Sequence, residues 1–167
     1  MPLILVLLRH GIAADGIPDE TRPLTSKGKK RVRQVAEVMG RFGLWPDLVL
    51  TSFRLRAIQT AEIVLDALDL DLKPVRIPEI DVEIPWAEFA RAINDQAQGL
   101  PPESVILCVG HQTQIGCMAT MALLGDERGM EMRKAGLMAI SFDGPVEAGK
   151  GVLDFALSPR WARSFLK

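Results

Sequence analysis

The sequence predicts an α/β fold, a three-layer sandwich with a mainly parallel central sheet flanked by helices and antiparallel edge strands near the C-terminus. Two apolar runs, Leu3 to Leu8 and Val105 to Val109, lack the alternation of a half-exposed strand and suit strands covered on both faces. Around them, short strand-like runs alternate with longer stretches of helical period, the order that right-handed crossovers and a parallel sheet require. Near the end, two strand-like runs flank a Gly/Pro-rich turn and predict a hairpin at the sheet edge.

The first run is too short to span a membrane and stops at Arg9, His10 and Gly11. Ile12 to Leu24 reads as a loop, broken by Asp15-Gly16, Pro18 and Pro23. Thr25 or Ser26 then caps a helix running to about Arg41. Val32, Val35, Ala36, Met39 and Phe42 draw its apolar face, and Gly43 ends it. Leu48 to Leu50 is a second strand, closed by Thr51-Ser52, and a helix follows from about Arg54 to Leu68 with Ala57, Ile58, Ala61, Leu65 and Leu68 inward.

Val75 to Ile77 reads as a third strand. In the acidic stretch behind it, Glu79, Asp81 and Glu83 alternate with Ile80, Val82 and Ile84, but the flanking Pro78 and Pro85 favour a loop. Trp86 to about Gln98 has helical spacing through Phe89, Ala90 and Ile93, and stops at Gly99 and Pro101-Pro102. The strand Val105 to Val109 ends at Gly110-His111, repeating the arrangement of the opening. Ile115 to Leu124 is apolar nearly all round, hence a buried helix. Leu137 to Phe142 and Val152 to Leu157 form the hairpin around Asp143 to Gly151, and Pro159 to Lys167 is a short helical tail.

Length and composition bound the reading. A chain of 167 residues, 48% hydrophobic and 25% charged, is expected to be one globular domain over residues 1–167. A formal net charge of −1 supplies no global field for nucleic acid or an anionic membrane, so neither is an expected partner and any anion binding is local. The opening lacks a basic leader and a small-residue cleavage site, which favours a cytoplasmic protein. Cys108 and Cys117 lack the spacing of a zinc or redox pair and are read as buried hydrophobes. With two histidines in the chain and no Cys/His cluster, no metal and no cofactor are expected. Lys27, Lys29, Lys30, Arg31 and Arg33 form a basic cluster, read either as a docking patch for an acidic partner or, the commoner case, as a solvated helix face.

Three strand ends deliver polar groups to one edge of the sheet: Arg9-His10 after the first, Ser52 to Arg56 after the second, and His111 after the run 105–109. Ligands bind at that edge in open α/β sheets. Arginine forks match phosphate oxygens, and the first turn of the helix after Ser52 adds backbone N–H groups and a favourable dipole. In such a pocket one imidazole can attack phosphorus and a second can donate to the equatorial oxygens. Arg9 and Arg56 should depress the pKa of His10 and keep it neutral near pH 7. The alternative is a pair of structural histidines hydrogen-bonded in the interior.

Leu8-Arg9-His10-Gly11, Pro23-Leu24-Thr25 with Gly28, Ser52 through Arg56-Ala57-Ile58-Gln59-Thr60-Ala61, and Gly110-His111 together resemble the histidine phosphatase (phosphoglycerate-mutase-like) superfamily over nearly the whole chain. The resemblance implies that His10 is the nucleophile that becomes phosphorylated, and that Arg9, Arg56 and His111 form the phosphate pocket. Its proton donor is usually a carboxylate after the third strand, where Glu79 aligns best and Asp81 and Glu83 are rivals. Ser52 joins the substrate-binding set. Arg54 departs from the family, as does Phe53 where proline is common, so Arg54 is read as a substrate contact or as a solvated arginine.

The intervals between the motifs leave no room for a cap insertion. In this the chain is similar to the compact branch that includes the SixA phosphohistidine phosphatases, which share the wording Arg22-Pro23-Leu24-Thr25. The resemblance implies a metal-independent phosphatase acting on a phosphohistidine of a signalling protein such as a histidine-phosphotransfer domain. A small phosphomonoester is the second substrate class. A non-catalytic module that binds phosphate and a phosphomutase are the remaining alternatives, the latter disfavoured by the missing cap.

Overall fold

The computed structural model describes residues 2–81 and 83–167; Val82, in the acidic stretch, and Met1 lie outside the described residues. The strands are β1 (Leu3–Arg9), β2 (Leu48–Thr51), β3 (Val75–Arg76), β4 (Ser104–Gly110), β5 (Leu137–Phe142) and β6 (Val152–Leu157). The helices are α1 (Ser26–Arg41), α2 (Leu55–Ala67), α3 (Trp86–Gln96), α4 (Gln114–Leu124) and α5 (Pro159–Phe165), with 3-10 turns at Asp19–Thr21 and Pro78–Ile80.

The six strands form one sheet in the order β3-β2-β4-β1-β5-β6. The first four are parallel, while β5 is antiparallel to β1 and β6 to β5. The sheet is thus mainly parallel with an antiparallel C-terminal edge, as the apolar runs and the late hairpin predict.

Side chains alternate across it. Val6 and Leu8 of β1 with Val105, Leu107 and Val109 of β4 pack under α1, α2 and Ala162 of α5, whereas Leu3, Leu5, Leu7, Ile106 and Cys108 face α3 and α4. Both faces are therefore covered, and this is why neither strand shows an alternating pattern. Each fully buried Leu or Val contributes roughly 1.5–3 kcal/mol.

This topology sets the position of the site. From β1 the chain crosses through α1 to β2 and through α2 to β3 on one face, then returns through α3 on the other and inserts β4 beside β1. The neighbours β1 and β4 thus send their connections to opposite faces, which opens a crevice at their carboxyl ends. Arg9 pairs with Gly110 in the final register, so His10 and His111 leave the sheet side by side.

Several boundaries depart from the periodicity. Phe42 lies beyond the last turn of α1 and is half exposed, stacking on Phe155 and Phe165 at centroid distances of 4.6 and 5.5 Å instead of joining the core. Ile58 and Cys117 are only partly buried, because the helix faces that carry them are not fully covered. β3 has just two residues, since Ile77 already leads into the 3-10 turn begun by Pro78. Gly28 is required by close approach: a Cβ there would lie 2.2 Å from the Ile12 carbonyl oxygen, so only glycine lets α1 dock against the loop behind His10.

Candidate active site

His10 and His111 face each other at the β1/β4 crevice, ring centroids 5.0 Å apart and planes inclined by 50°. Both are buried, at 7% and 3% exposure. The Nδ1 of His10 lies 2.7 Å from the Gly11 carbonyl oxygen. A carbonyl can only accept, so Nδ1 carries the proton and Nε2 keeps its lone pair. Arg56 Nε donates to that Nε2 at 3.3 Å. Thr60 fixes the turn by accepting from the Gly11 N–H at 3.0 Å and donating to the Arg56 carbonyl at 2.7 Å, which ties the chain after β1 to α2.

Burial is the main reason that the His10 imidazole is pushed down to about 4, and the Arg56, Arg9 and Lys134 charges add to it against the opposing bond to Gly11. The sequence shows the charges but not the burial, which ranks first. His111 is pushed down to about 3, again by burial first and then by His10, Arg56 and Arg54. Both rings are therefore neutral near pH 7. His111 Nε2 is 2.6 Å from Ser52 Oγ, while its Nδ1 is buried without a partner among the described residues. Arg9 Nη1 donates to the Met132 carbonyl at 2.6 Å, and Arg9 Nε is likewise buried without a partner. Both atoms are shielded from solvent as well, unsatisfied groups of a kind that native structures rarely leave.

Asp19, on the first 3-10 turn, is the residue that sequence reasoning missed. Its carboxylate pairs with Arg22 Nη1 at 2.8 Å, with Arg56 Nη2 at 3.0 Å and with Arg54 Nη1, and its backbone oxygen accepts from Arg56 Nη1 at 2.9 Å. Hydrogen bonds from Arg22 and Arg56 hold it down to about 2. The only signal in the sequence is an acid three residues before Arg22, the spacing of a local ion pair within a Pro/Gly-rich loop. Arg54 is not simply solvated: its Nε also donates to Asp81 at 2.9 Å.

The other candidates sort by contact. Ser52 bridges His111 Nε2 and the Arg54 N–H, the latter at 3.3 Å. Of the three acidic candidates, only Asp81 pairs with a site residue among the described residues; Glu79 is half-buried on the second 3-10 turn, and Glu83 is exposed in a left-handed conformation. Among the described residues, Glu79 therefore has no hydrogen bond or ion pair to the crevice residues. Among the described residues no group of three His, Cys, Asp or Glu side chains is placed to hold a metal ion, and no helix is long and apolar enough to cross a membrane. What the crevice offers is a neutral imidazole whose unprotonated Nε2 accepts only from Arg56, a second imidazole, and guanidiniums for an anion.

Comparison with known proteins identifies relatives of this chain. Residues 5–89 match the sequence profile of the histidine phosphatase superfamily (branch 1). The phosphohistidine phosphatase SixA of Escherichia coli (strain K12) is 30% identical over 156 residues, covering 92% of each chain. An uncharacterised protein of Picosynechococcus is 34% identical over 146 residues, 81% of this chain and 83% of its own. A solved structure of the protein histidine phosphatase SixA complexed with tungstate superposes with a TM-score of 0.79 over the full length of both chains, at 25% identity.

Proposed function

The chain belongs to the histidine phosphatase superfamily and is a phosphatase of that type, and from this we propose that it is a cytoplasmic, metal-independent enzyme, without a cap domain, that hydrolyses phosphohistidine on a protein through a phosphorylated His10. The observation that carries the reading is the pairing of His10, its Nε2 unprotonated and held by Arg56 Nε, with His111 5.0 Å away. The relative named a phosphohistidine phosphatase, similar over nearly its whole length, supports the substrate class.

In the first step the Nε2 lone pair of His10 attacks phosphorus. The new N–P bond forms as the phosphoramidate bond of the substrate breaks, and the substrate imidazole leaves with a proton taken from solvent. Arg9, Arg56 and His111 hold the equatorial oxygens as their charge redistributes, and the arginines supply the positive charge that a metal would otherwise provide. Water then attacks phosphorus on the other side, the His10 N–P bond breaks, and phosphate departs with His10 restored. A bound phosphate dianion reverses the local field and raises both imidazole pKa values, so His111 becomes a better donor when the substrate is present.

Such a phosphoramidate needs no enzymic acid of its own. A small phosphomonoester is the second reading: its alkoxide leaving group does need one, and Glu79, Asp81 or Glu83 would supply it. Incubation with a phosphorylated histidine-phosphotransfer domain and with a panel of sugar and nucleotide phosphates separates the two. Quenching in alkaline denaturant is expected to trap an alkali-stable, acid-labile phosphoenzyme that His10→Ala lacks. Turnover retained by His10→Ala, or phosphate binding with no turnover on any substrate, would overturn the mechanism.

A further inference from the structure

Beside the catalytic crevice lies an open groove of about 980 Å³ whose lining is strongly one-signed: eight cations against a single carboxylate, Glu131. The first wall is the start of α1, with Lys27, Lys30 and Arg31. Arg133 and Lys134, on the segment leading into β5, and Arg160, Trp161 and Arg163 of α5 complete the lining. These elements lie far apart in the chain yet open on the same edge of the sheet, because β1 ends, β5 begins and β6 ends there. Arg9 lines the groove as well, so the groove and the crevice share a residue.

None of the seven cations besides Arg9 forms an ion pair among the described residues, whereas Arg22, Arg33, Arg54, Arg56 and Arg128 all do. Helix stability does not account for their placement either. Lys27 sits in the first turn of α1, which holds no acid, and Lys30 and Arg31 follow within the next turn, near the end where the macrodipole disfavours positive charge. The basic cluster is therefore more than a solvated helix face, since distant segments extend it into a groove.

We propose that this groove docks an acidic face of the phosphorylated protein and so selects which phosphohistidines reach His10. The inference rests on the phosphohistidine reading and adds the partner's chemistry to it. Long, exposed arms on three separate elements suit charge spread over a surface more than one compact anion. Trp161, 63% exposed, supplies an aromatic anchor of the kind that protein interfaces use. A long nucleic acid fits less well: the chain's net charge is −1, so the surface outside so basic a groove is net acidic and would repel the extended backbone.

The test uses two phosphohistidine peptides of equal length, one flanked by glutamates and one by glutamines, with para-nitrophenyl phosphate as a small-substrate control. Wild-type protein is expected to favour the glutamate peptide about tenfold in kcat/KM at low salt, with the preference fading as salt rises. Lys27→Glu/Lys30→Glu and Arg160→Glu/Arg163→Glu should each abolish that preference and leave para-nitrophenyl phosphate turnover within about twofold of wild type. The neutral pair Lys27→Gln/Lys30→Gln guards against misfolding and should give a partial loss.

Equal rates on both peptides, or a preference that survives charge reversal, would overturn the proposal. So would a single-stranded oligonucleotide that displaces the labelled acidic peptide at lower concentration than the unlabelled peptide does. Binding of the unphosphorylated glutamate peptide, followed by anisotropy, separates this proposal from its parent. Groove-dependent binding with no phosphohistidine turnover supports the docking surface and sinks the phosphohistidine reading, and turnover without charge preference does the reverse.

Discussion

Acidification should destabilise the free protein through its two site histidines, by about 4 kcal/mol between pH 7 and pH 5. In the unfolded chain both imidazoles titrate near their ordinary value of 6.5, while in the fold they are pushed to about 4 and about 3. A depressed folded pKa contributes stability that is present above the unfolded value and lost as pH falls toward the folded one. At pH 5 each unfolded histidine has bound nearly a full proton and each native one almost none, a ratio of partition terms near 30, or about 2 kcal/mol per histidine relative to pH 7. Asp19, held at about 2, titrates below this window and does not contribute. Urea denaturation of wild type, His10→Gln and His111→Gln at pH 7, 6 and 5 measures the effect, because the remaining carboxylates are common to all three. Each variant is expected to lose about half of the wild-type slope. The chain has only two histidines, so their imidazole resonances also report the titration directly. Variants that keep the full slope, or imidazoles that titrate near 6.5, would refute buried neutral rings.

Other outcomes follow from the same contacts. Asp19→Asn frees Arg54 and Arg56 from a carboxylate that is partly exposed, and inhibition by phosphate is expected to tighten about fivefold, roughly 1 kcal/mol; weaker inhibition would mean that Asp19 positions the arginines. Arg56→Lys keeps a charge but cannot serve His10 and Asp19 together, so kcat/KM should fall about 100-fold with little change in Tm. Gly28→Ala drives a Cβ to 2.2 Å from the Ile12 carbonyl oxygen, backbone that cannot swing aside, and should cost about 2–3 kcal/mol and roughly 5–10 °C in calorimetry. Glu79→Gln, at a position with no hydrogen bond or ion pair to the crevice among the described residues, should leave phosphohistidine hydrolysis within about twofold; a large loss would return Glu79 to the mechanism.

The sheet was legible because its signals are local. Leu3 to Leu8 and Val105 to Val109 carry uninterrupted apolar runs, and Gly and Pro punctuate what lies between them. The convergence of His10 and His111 was legible too, since both end such runs and a parallel sheet aligns their ends. Asp19 was hidden for the opposite reason: Ile12 to Leu24 has no periodicity, and beyond the local Arg22 its partners Arg54 and Arg56 arrive from the distant start of α2. The groove was half legible. Lys27 to Arg33 stood out as a run, but Arg133, Lys134, Arg160 and Arg163 join it only in three dimensions.

Asp19 also explains how so many buried guanidinium groups coexist beside two neutral imidazoles. Arg56 is nearly buried and Arg54 mostly so, and unpaired cations at that depth are costly. The Asp19 carboxylate spans both and leaves Arg56 Nε on His10. On the proposed mechanism, an arriving phosphoryl group would therefore exchange one anion for another instead of filling a bare cationic pocket. The net gain is smaller than the sum of its contacts, and a carboxylate stands ready to take the guanidiniums back when phosphate leaves. A pocket with the same arginines and no Asp19 would hold its product more tightly, and product release would then limit turnover.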